Sequence, residues 1–214
     1  MTAGGAVRAA VLLSGSGRTL DNFLERIEQG TLPLQIVAVV SSRADVRGVD
    51  VAREAGLPLG IFRRRDYPDT AAHNAAINAF LLPHVPQLIV LAGYLCLYQP
   101  PAGFAGPVVN IHPALLPKYG GQGYYGDKVH QAVLASGDTE SGCTVHLVEA
   151  QYDTGRILGQ RRVPVLASDD VGSLAARVFT AECELYPEVL ASLARVMAGD
   201  GDAPATRPAT PPAG

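Results

Sequence analysis

The chain has 214 residues, of which 48% are hydrophobic and 17% charged, and its formal net charge is −3. This composition predicts a globular protein with a sizeable core, and the acidic balance argues against nucleic acid as a partner. Three widely spaced cysteines predict neither a disulfide framework nor a zinc site, and no apolar run is long enough to span a membrane. Nothing near Met1 resembles a signal peptide, so we expect a cytoplasmic protein without a membrane partner.

Strand-like and helix-like segments alternate along the first half of the chain. Apolar runs predict buried strands at 9–13, 36–40, 59–62, 88–91 and 108–111. Helical patterns separate the first four of them, with predicted helices starting near Leu20 and covering 46–55 and 70–82. Because these strands are apolar throughout, they predict an α/β fold with a Rossmann-like, open, mostly parallel sheet and helices on both faces.

The second half of the chain follows a different pattern. A helix is predicted over 128–134, and strands over 143–148 and 156–165 predict a small antiparallel addition. A helix over 171–197, kinked at Pro187, completes a domain that we assign to residues 1–198. Residues 199–214 are rich in Pro, Ala and Gly, and we expect a disordered tail there.

The run 108–118 is the most informative stretch of the sequence. Its apolar strand ends with Asn110 and His112, which the period of two places on the same side of the strand. In an open α/β sheet, the carboxyl ends of the strands hold ligands and chemistry. An amide beside an imidazole can stabilise an oxygen that gains negative charge. Taken singly, each residue could also serve only local structure.

The turn between the first strand and the first helix is a candidate phosphate site. It contains Gly15, Ser16, Gly17, Arg18 and Thr19. Small residues let backbone amides approach an anion, a helix amino terminus favours negative charge, and a guanidinium can bind phosphate bidentately. The loop matches neither the dinucleotide fingerprint nor the P-loop, and a tight turn without a ligand remains the alternative.

A polar loop after the first antiparallel strand could supply an acid. Asp153 could face His112 and act as its partner or as a proton acceptor. The alternative is that Asp153 only opens a turn before Gly155. We interpret His146, on the preceding strand, as structural.

These motifs together resemble the folate-dependent formyltransferases. The shared features are the Asn-x-His-Pro-x-Leu-Leu-Pro string at 110–117, the later Asp153-x-Gly155, and the early Ser14-Gly15-x-Gly17. The resemblance covers about residues 8–197 and implies the formyltransferase fold. It also implies a cis peptide bond between Leu116 and Pro117.

The resemblance implies transfer of a formyl group from 10-formyltetrahydrofolate to the amine of glycinamide ribonucleotide, in purine synthesis and without a metal. Asn110 and His112 would stabilise the oxyanion that develops on the formyl oxygen. Asp153 would tune the imidazole and, through water, help to move the proton from the attacking amine to the folate nitrogen. The partners would be small molecules only, and a homodimer is possible.

Further residues are assigned by the same resemblance. The phosphate would be bound by the loop 15–19, and Glu182 would bind the ribose hydroxyls. The substrate site would also include Pro113. The folate pocket would be formed by Leu95, Cys96, Leu97, Tyr98, Asn110, Val148 and Glu149.

The sequence departs from relatives at several places, and the helix after the third strand has no counterpart of an Arg that reaches folate in relatives. Cys96 stands where relatives often carry Arg, and Phe179 stands where a polar residue often assists the phosphate. The loop 120–127 is longer than in many members.

Rival activities share the same core. A hydrolase would use water as the acceptor and usually carries an additional amino-terminal domain, for which we see no room before Val11. A methionyl-tRNA formyltransferase carries an RNA-binding domain, whereas only the predicted tail follows Met197. Enzymes that formylate sugar nucleotides are usually longer. A binding module that has lost catalysis would be expected to lack Asn110, His112 or Asp153.

Overall fold

Seven strands form one sheet in the described part of the chain, residues 5–199 of this computed structural model. The strands are β1 (Val7–Leu13), β2 (Leu34–Ser41), β3 (Leu59–Ile61), β4 (Leu88–Leu91), β5 (Val108–His112), β6 (Glu140–Leu147) and β7 (Ile157–Pro164). The α-helices are α1 (Arg18–Glu28), α2 (Arg47–Glu54), α3 (Thr70–Leu81), α4 (Asp127–Ser136) and α5 (Val171–Met197). Short 3-10 helices cover Arg64–Asp66 and Leu82–His84.

The sheet has the strand order β3-β2-β1-β4-β5-β6-β7. Strands β1 to β5 pair in parallel, whereas β6 pairs antiparallel with both β5 and β7. The predicted Rossmann-like sheet and its antiparallel addition are therefore confirmed. The chain order reverses between β1 and β4, and in such sheets a ligand crevice lies outside the carboxyl ends of those two strands.

Successive residues of β1 belong to two different hydrophobic cores. Val11 packs in the core that contains residues of α1, α2 and α5. Leu12 packs in the core that contains Ile77 and Leu81 of α3. Because neighbouring strand residues point to opposite faces, helices cover both faces of the sheet, as the apolar strands predicted.

The element boundaries differ slightly from the prediction. β1 starts at Val7 and β6 starts at Glu140, two and three residues earlier than their apolar cores suggest. Helix α5 continues through Pro187. The proline has no N–H for the carbonyl of Cys183, and the guanidinium of Arg26 lies 3.5 Å from that oxygen instead. The kink at Pro187 stays a prediction.

The predicted tail and the expected absence of a membrane span can be compared with the structure only over the described residues. The tail predicted over 199–214 lies outside the described residues, except for Gly199. Across residues 5–199, no helix combines the length and the apolar character needed to cross a membrane.

Tyr186 of α5 connects the helix to the centre of the sheet. Its side chain is fully buried, and its hydroxyl lies 3.1 Å from the carbonyl of Leu91 in β4 and 3.0 Å from that of Val109 in β5.

The substitution Tyr186→Phe removes this hydroxyl, so the buried carbonyls of Leu91 and Val109 lose a hydrogen-bond donor. We expect the free energy of unfolding to fall by about 1–2 kcal/mol in urea titrations. Tyr124→Phe, at an exposed tyrosine, is the control, and equal stability of Tyr186→Phe and the parent protein would contradict the expectation.

Candidate active site

A cleft of about 600 Å³ opens at the carboxyl ends of β1, β4 and β5. This volume is in the usual range for small-molecule sites. Its walls come from the loop after β1, the segment after β4, the end of β5, the loop 121–127, the loop after β6 and one face of α5. Polar groups predicted from separate parts of the sequence therefore converge on one cleft.

The predicted phosphate loop forms one end of the cleft, and all five of its residues, 15–19, line it. Helix α1 begins at Arg18, directly after Gly17, which has a φ of 75°. A Cβ at Gly17 would lie 2.5 Å from the Cα of Gly48 in α2, so only glycine fits between the two helices. Since Gly17 has no side chain to cap α1, the first amides of the helix remain available to an anion.

Backbone and hydroxyl contacts join this loop to the segment after β4. The amide of Ser14 donates to the carbonyl of Gly93 at 3.1 Å, and the amide of Leu95 donates to the Ser14 hydroxyl at 2.9 Å. The Ser14 and Ser42 hydroxyls are 2.5 Å apart. These contacts fix the two loops on either side of the crevice relative to each other.

Asn110 and His112 both line the cleft, as the period of two predicted. The Nε2 of His112 lies 2.7 Å from the carbonyl oxygen of Tyr119, so this nitrogen carries a hydrogen and donates it. The Nδ1 of the same ring lies 3.5 Å from Oδ2 of Asp153. The peptide bond between Leu116 and Pro117, in the loop that returns to Tyr119, is cis as expected.

Asp153 lies between His112 and His146, and its side chain is only 9% exposed. One carboxylate oxygen accepts a 2.9 Å hydrogen bond from the amide of Gly121, and the other lies 3.4 Å from Nε2 of His146. Its backbone has a φ of 57°, a conformation that aspartate tolerates better than most residues. Asp153 therefore does more than open the turn before Gly155.

His146 also belongs to this cluster, although its sequence context predicted only a structural role. Its Nδ1 lies 2.8 Å from the carbonyl of Leu147, so Nδ1 carries the hydrogen and Nε2 accepts from the Asn110 amide at 3.1 Å. The two residues are direct partners in the antiparallel pairing of β5 and β6. The β5–β6 register was the signal that could have identified His146, because it places the imidazole opposite Asn110.

The environment shifts the pKa values of two members of the cluster. Burial lowers the pKa of His112, although the charge of Asp153 and the Tyr119 carbonyl act in the opposite direction. Burial alone would raise the pKa of Asp153, but its contacts with the imidazoles of His146 and His112 and the hydrogen bond from the Gly121 amide bring it below its ordinary value. The resting cluster thus combines a neutral His112 with an ionised Asp153, a separation of roles that suits proton transfer.

The loop 121–127 and the start of α4 form another part of the cleft wall. Gly121, Gly123 and Gly126 have positive φ values, and the whole of 121–127 lines the cleft. His130, in the first turns of α4, also lines it and is only 4% exposed. Burial lowers its pKa, with Asp127 acting against this effect. Nothing in the local sequence singles out His130, because its position depends on how this glycine-rich loop turns.

The remaining predicted site residues are divided between the cleft and its surroundings. Pro113 and Glu182 line the cleft, and burial raises the pKa of Glu182 to about 8 against the lowering effect of Arg18. Of the residues expected to contact folate, only Leu95 and Asn110 line it. The others lie outside the lining: Cys96, Leu97, Tyr98, Val148 and Glu149. Tyr98 is buried in the core beside α3, where its hydroxyl donates to Asn78 at 2.7 Å.

Comparisons with known proteins agree with this geometry. The sequence profile of the formyl transferase family matches residues 7–190. The chloroplastic phosphoribosylglycinamide formyltransferase of Vigna unguiculata is 41% identical over 189 residues, which are 87% of this chain and 60% of that protein. The phosphoribosylglycinamide formyltransferase of Haemophilus influenzae is 36% identical over 185 residues, 86% of this chain and 85% of that protein.

Solved structures of related enzymes also superimpose on this chain. Glycinamide ribonucleotide transformylase 1 of Symbiobacterium toebii superimposes with a TM-score of 0.82 at 36% identity, covering 90% of each chain. The phosphoribosylglycinamide formyltransferase of Brucella melitensis superimposes with a TM-score of 0.78 at 39% identity, covering 88% of this chain and 95% of that one. Since the family profile spans most of the sequence and these relatives cover nearly nine tenths of it, the chain belongs to the formyl transferase family.

Proposed function

We propose that this protein transfers the formyl group of 10-formyltetrahydrofolate to the amine of glycinamide ribonucleotide in purine biosynthesis. The observation that carries this proposal is that one cleft contains both an anion-binding loop, 15–19, and the cluster of Asn110, His112 and Asp153. An acceptor with a phosphate at one end and an amine at the other would span these two groups. The activity by which the Vigna and Haemophilus relatives are named supports the same reaction.

Asn110 and His112 would stabilise the transition state of the transfer. The amine attacks the formyl carbon, and the carbonyl electron pair moves to the formyl oxygen. The Asn110 amide is fixed by its contact with His146 and retains a second N–H for this oxygen. Nε2 of His112 keeps its hydrogen on the Tyr119 carbonyl, so Nδ1 is the lone-pair nitrogen of the resting ring. A proton taken up at Nδ1, 3.5 Å from Asp153, makes an imidazolium whose Nδ1–H can donate to the oxyanion.

Asp153 would receive the proton that the attacking amine must lose. Its lowered pKa keeps the carboxylate ionised at neutral pH, and its two oxygens face His112 and His146. When the tetrahedral intermediate collapses, the bond from carbon to the folate nitrogen breaks and that nitrogen takes up a proton. A carboxylate between two imidazoles can accept the first proton and support delivery of the second.

The ribonucleotide would lie along the cleft from the phosphate loop towards α5. The amides of Gly17, Arg18 and Thr19 would bind the phosphate, together with the Arg18 guanidinium. Glu182 would form hydrogen bonds with the ribose hydroxyls. Its pKa of about 8 reflects a carboxyl group in a shielded position, where such hydrogen bonds gain strength.

The folate would enter beside Leu95. Leu95 and Tyr152 both line the cleft and are 52% and 40% exposed, which leaves apolar surface at the rim for a planar ring. Backbone groups of the flanking segments 96–98 and 148–149 would complete the pocket. Hydrolysis of the same donor is the alternative reaction, but the phosphate loop in the same cleft favours a phosphorylated amine over water as the acceptor.

A deformylation assay tests the reaction directly. We expect the absorbance change of a 10-formylfolate donor to depend on added glycinamide ribonucleotide. Equal turnover without the ribonucleotide would identify a hydrolase instead. An absence of turnover in both cases would contradict the proposed reaction.

Removing either oxyanion donor should greatly reduce turnover. We expect Asn110→Ala and His112→Ala each to lower kcat by about 10²–10³-fold, the usual cost of losing one such donor. Both variants should keep the circular dichroism spectrum of the parent protein. His84→Ala, at a partly buried histidine outside the cleft, is the matched control. Turnover near that of the control in either variant would contradict the assigned role.

The pKa of His112 should depend on Asp153. The carboxylate favours the charged imidazolium, so Asp153→Asn should move the titration of His112 from its already lowered midpoint to a still lower pH. The measurement is the pH dependence of the His112 ring signals in the nuclear magnetic resonance spectrum. Asp66→Asn, which removes a carboxylate paired with Arg63, should leave the midpoint unchanged. A midpoint that stays or rises in Asp153→Asn would show that the two groups are not coupled in this way.

A further inference from the structure

The guanidinium of Arg18 lies over the face of an aromatic ring at the phosphate end of the cleft. The Cζ of Arg18 is 3.6 Å from the ring centroid of Phe179. Arg18 is the first residue of α1 and Phe179 belongs to α5, and both side chains line the cleft. A cation this close to a ring face is attracted by the negative face of the aromatic system.

This contact differs from those of several other arginines in the same fold. Arg47 pairs with Asp21, and Arg177 pairs with Asp169 through two hydrogen bonds. Within residues 5–199, the Arg18 side chain takes part in no hydrogen bond and no ion pair. A carboxylate partner would neutralise the guanidinium and occupy its N–H donors, whereas a ring face does neither.

We infer that Phe179 is a positioning residue that holds the Arg18 guanidinium ready for the phosphate monoester of the substrate. Stacking leaves the edge of the guanidinium, with its donors, free to bind two phosphate oxygens. Holding the side chain in place before binding also reduces the entropy lost when the anion arrives. The inference rests on the proposed function for the identity of the phosphorylated substrate.

The ring face, rather than the bulk of the side chain, is the feature that matters. Leucine at position 179 would keep an apolar contact but offer no ring to the cation, whereas tyrosine would keep the ring. Because Phe179 acts on the ground-state binding of the phosphate and lies away from the cluster around His112, its loss should change KM more than kcat.

A double-mutant cycle tests the role of Phe179. The variants are Phe179→Leu, Phe179→Tyr, Arg18→Ala and the double variant of Arg18→Ala with Phe179→Leu. We expect Phe179→Leu to raise the KM for glycinamide ribonucleotide, and the Kd for inorganic phosphate at constant ionic strength, by about 3- to 10-fold. Its kcat should stay within about 2-fold of the parent value, and Phe179→Tyr should retain parental binding. In the Arg18→Ala background, Phe179→Leu should cause no further loss of affinity for phosphate or for glycinamide ribonucleotide.

Phosphate binding, followed by ³¹P nuclear magnetic resonance, separates failure of the inference from failure of the proposed function. If Phe179→Leu weakened phosphate binding as much in the Arg18→Ala background as in the parent protein, the ring would act independently of Arg18. That result would overturn the role of Phe179. Unchanged phosphate binding in Phe179→Leu would overturn it as well. If the parent protein did not use glycinamide ribonucleotide, the proposed function would fail, while a coupled phosphate cycle would still support the pairing of Phe179 with Arg18.

Discussion

The contact of one buried carboxylate with two imidazoles organises the reacting end of the cleft. Asp153 is 9% exposed, and a charge so shielded from water costs several kcal/mol unless partners compensate for it. Its partners are His112 of β5, His146 of β6 and the amide of Gly121. Each comes from a different segment, so the antiparallel edge of the sheet and the loop before α4 must both be in place before the charge is stabilised.

The two ends of the cleft are maintained by different physical forces. At the phosphate end, the close approach of Gly17 to Gly48 fixes the backbone by steric fit, because no Cβ can be accommodated there. At the reacting end, a hydrogen-bonded cluster holds His112 and Asp153 by charge and proton position. The steric fit of Gly17 against Gly48 does not depend on pH, whereas the protonation of the cluster does. The same cleft can therefore anchor a substrate rigidly while protons move at its other end.

The sequence predicted what depends on local periodicity and missed what depends on register. Apolar runs located the strands, and the period of two placed Asn110 and His112 on one side of β5. His146 looked structural because nothing local connects it to Asn110; only the pairing of β5 with β6 does. Likewise, Tyr98 lies in a segment expected to bind folate, yet its large side chain gains more by burial beside α3. Beyond the end of a strand, the direction of a side chain depends on packing against distant segments and not on the local sequence.

Local rather than overall charge explains how an acidic protein can suit an anionic substrate. The chain carries a formal net charge of −3, so long-range attraction does not favour a phosphate. The start of α1 and the ring-stacked guanidinium of Arg18 concentrate positive potential at one end of the cleft. Screening by salt is weak over such short, partly shielded distances. Affinity for one phosphate group can thus follow from local charge in a chain whose net charge is negative.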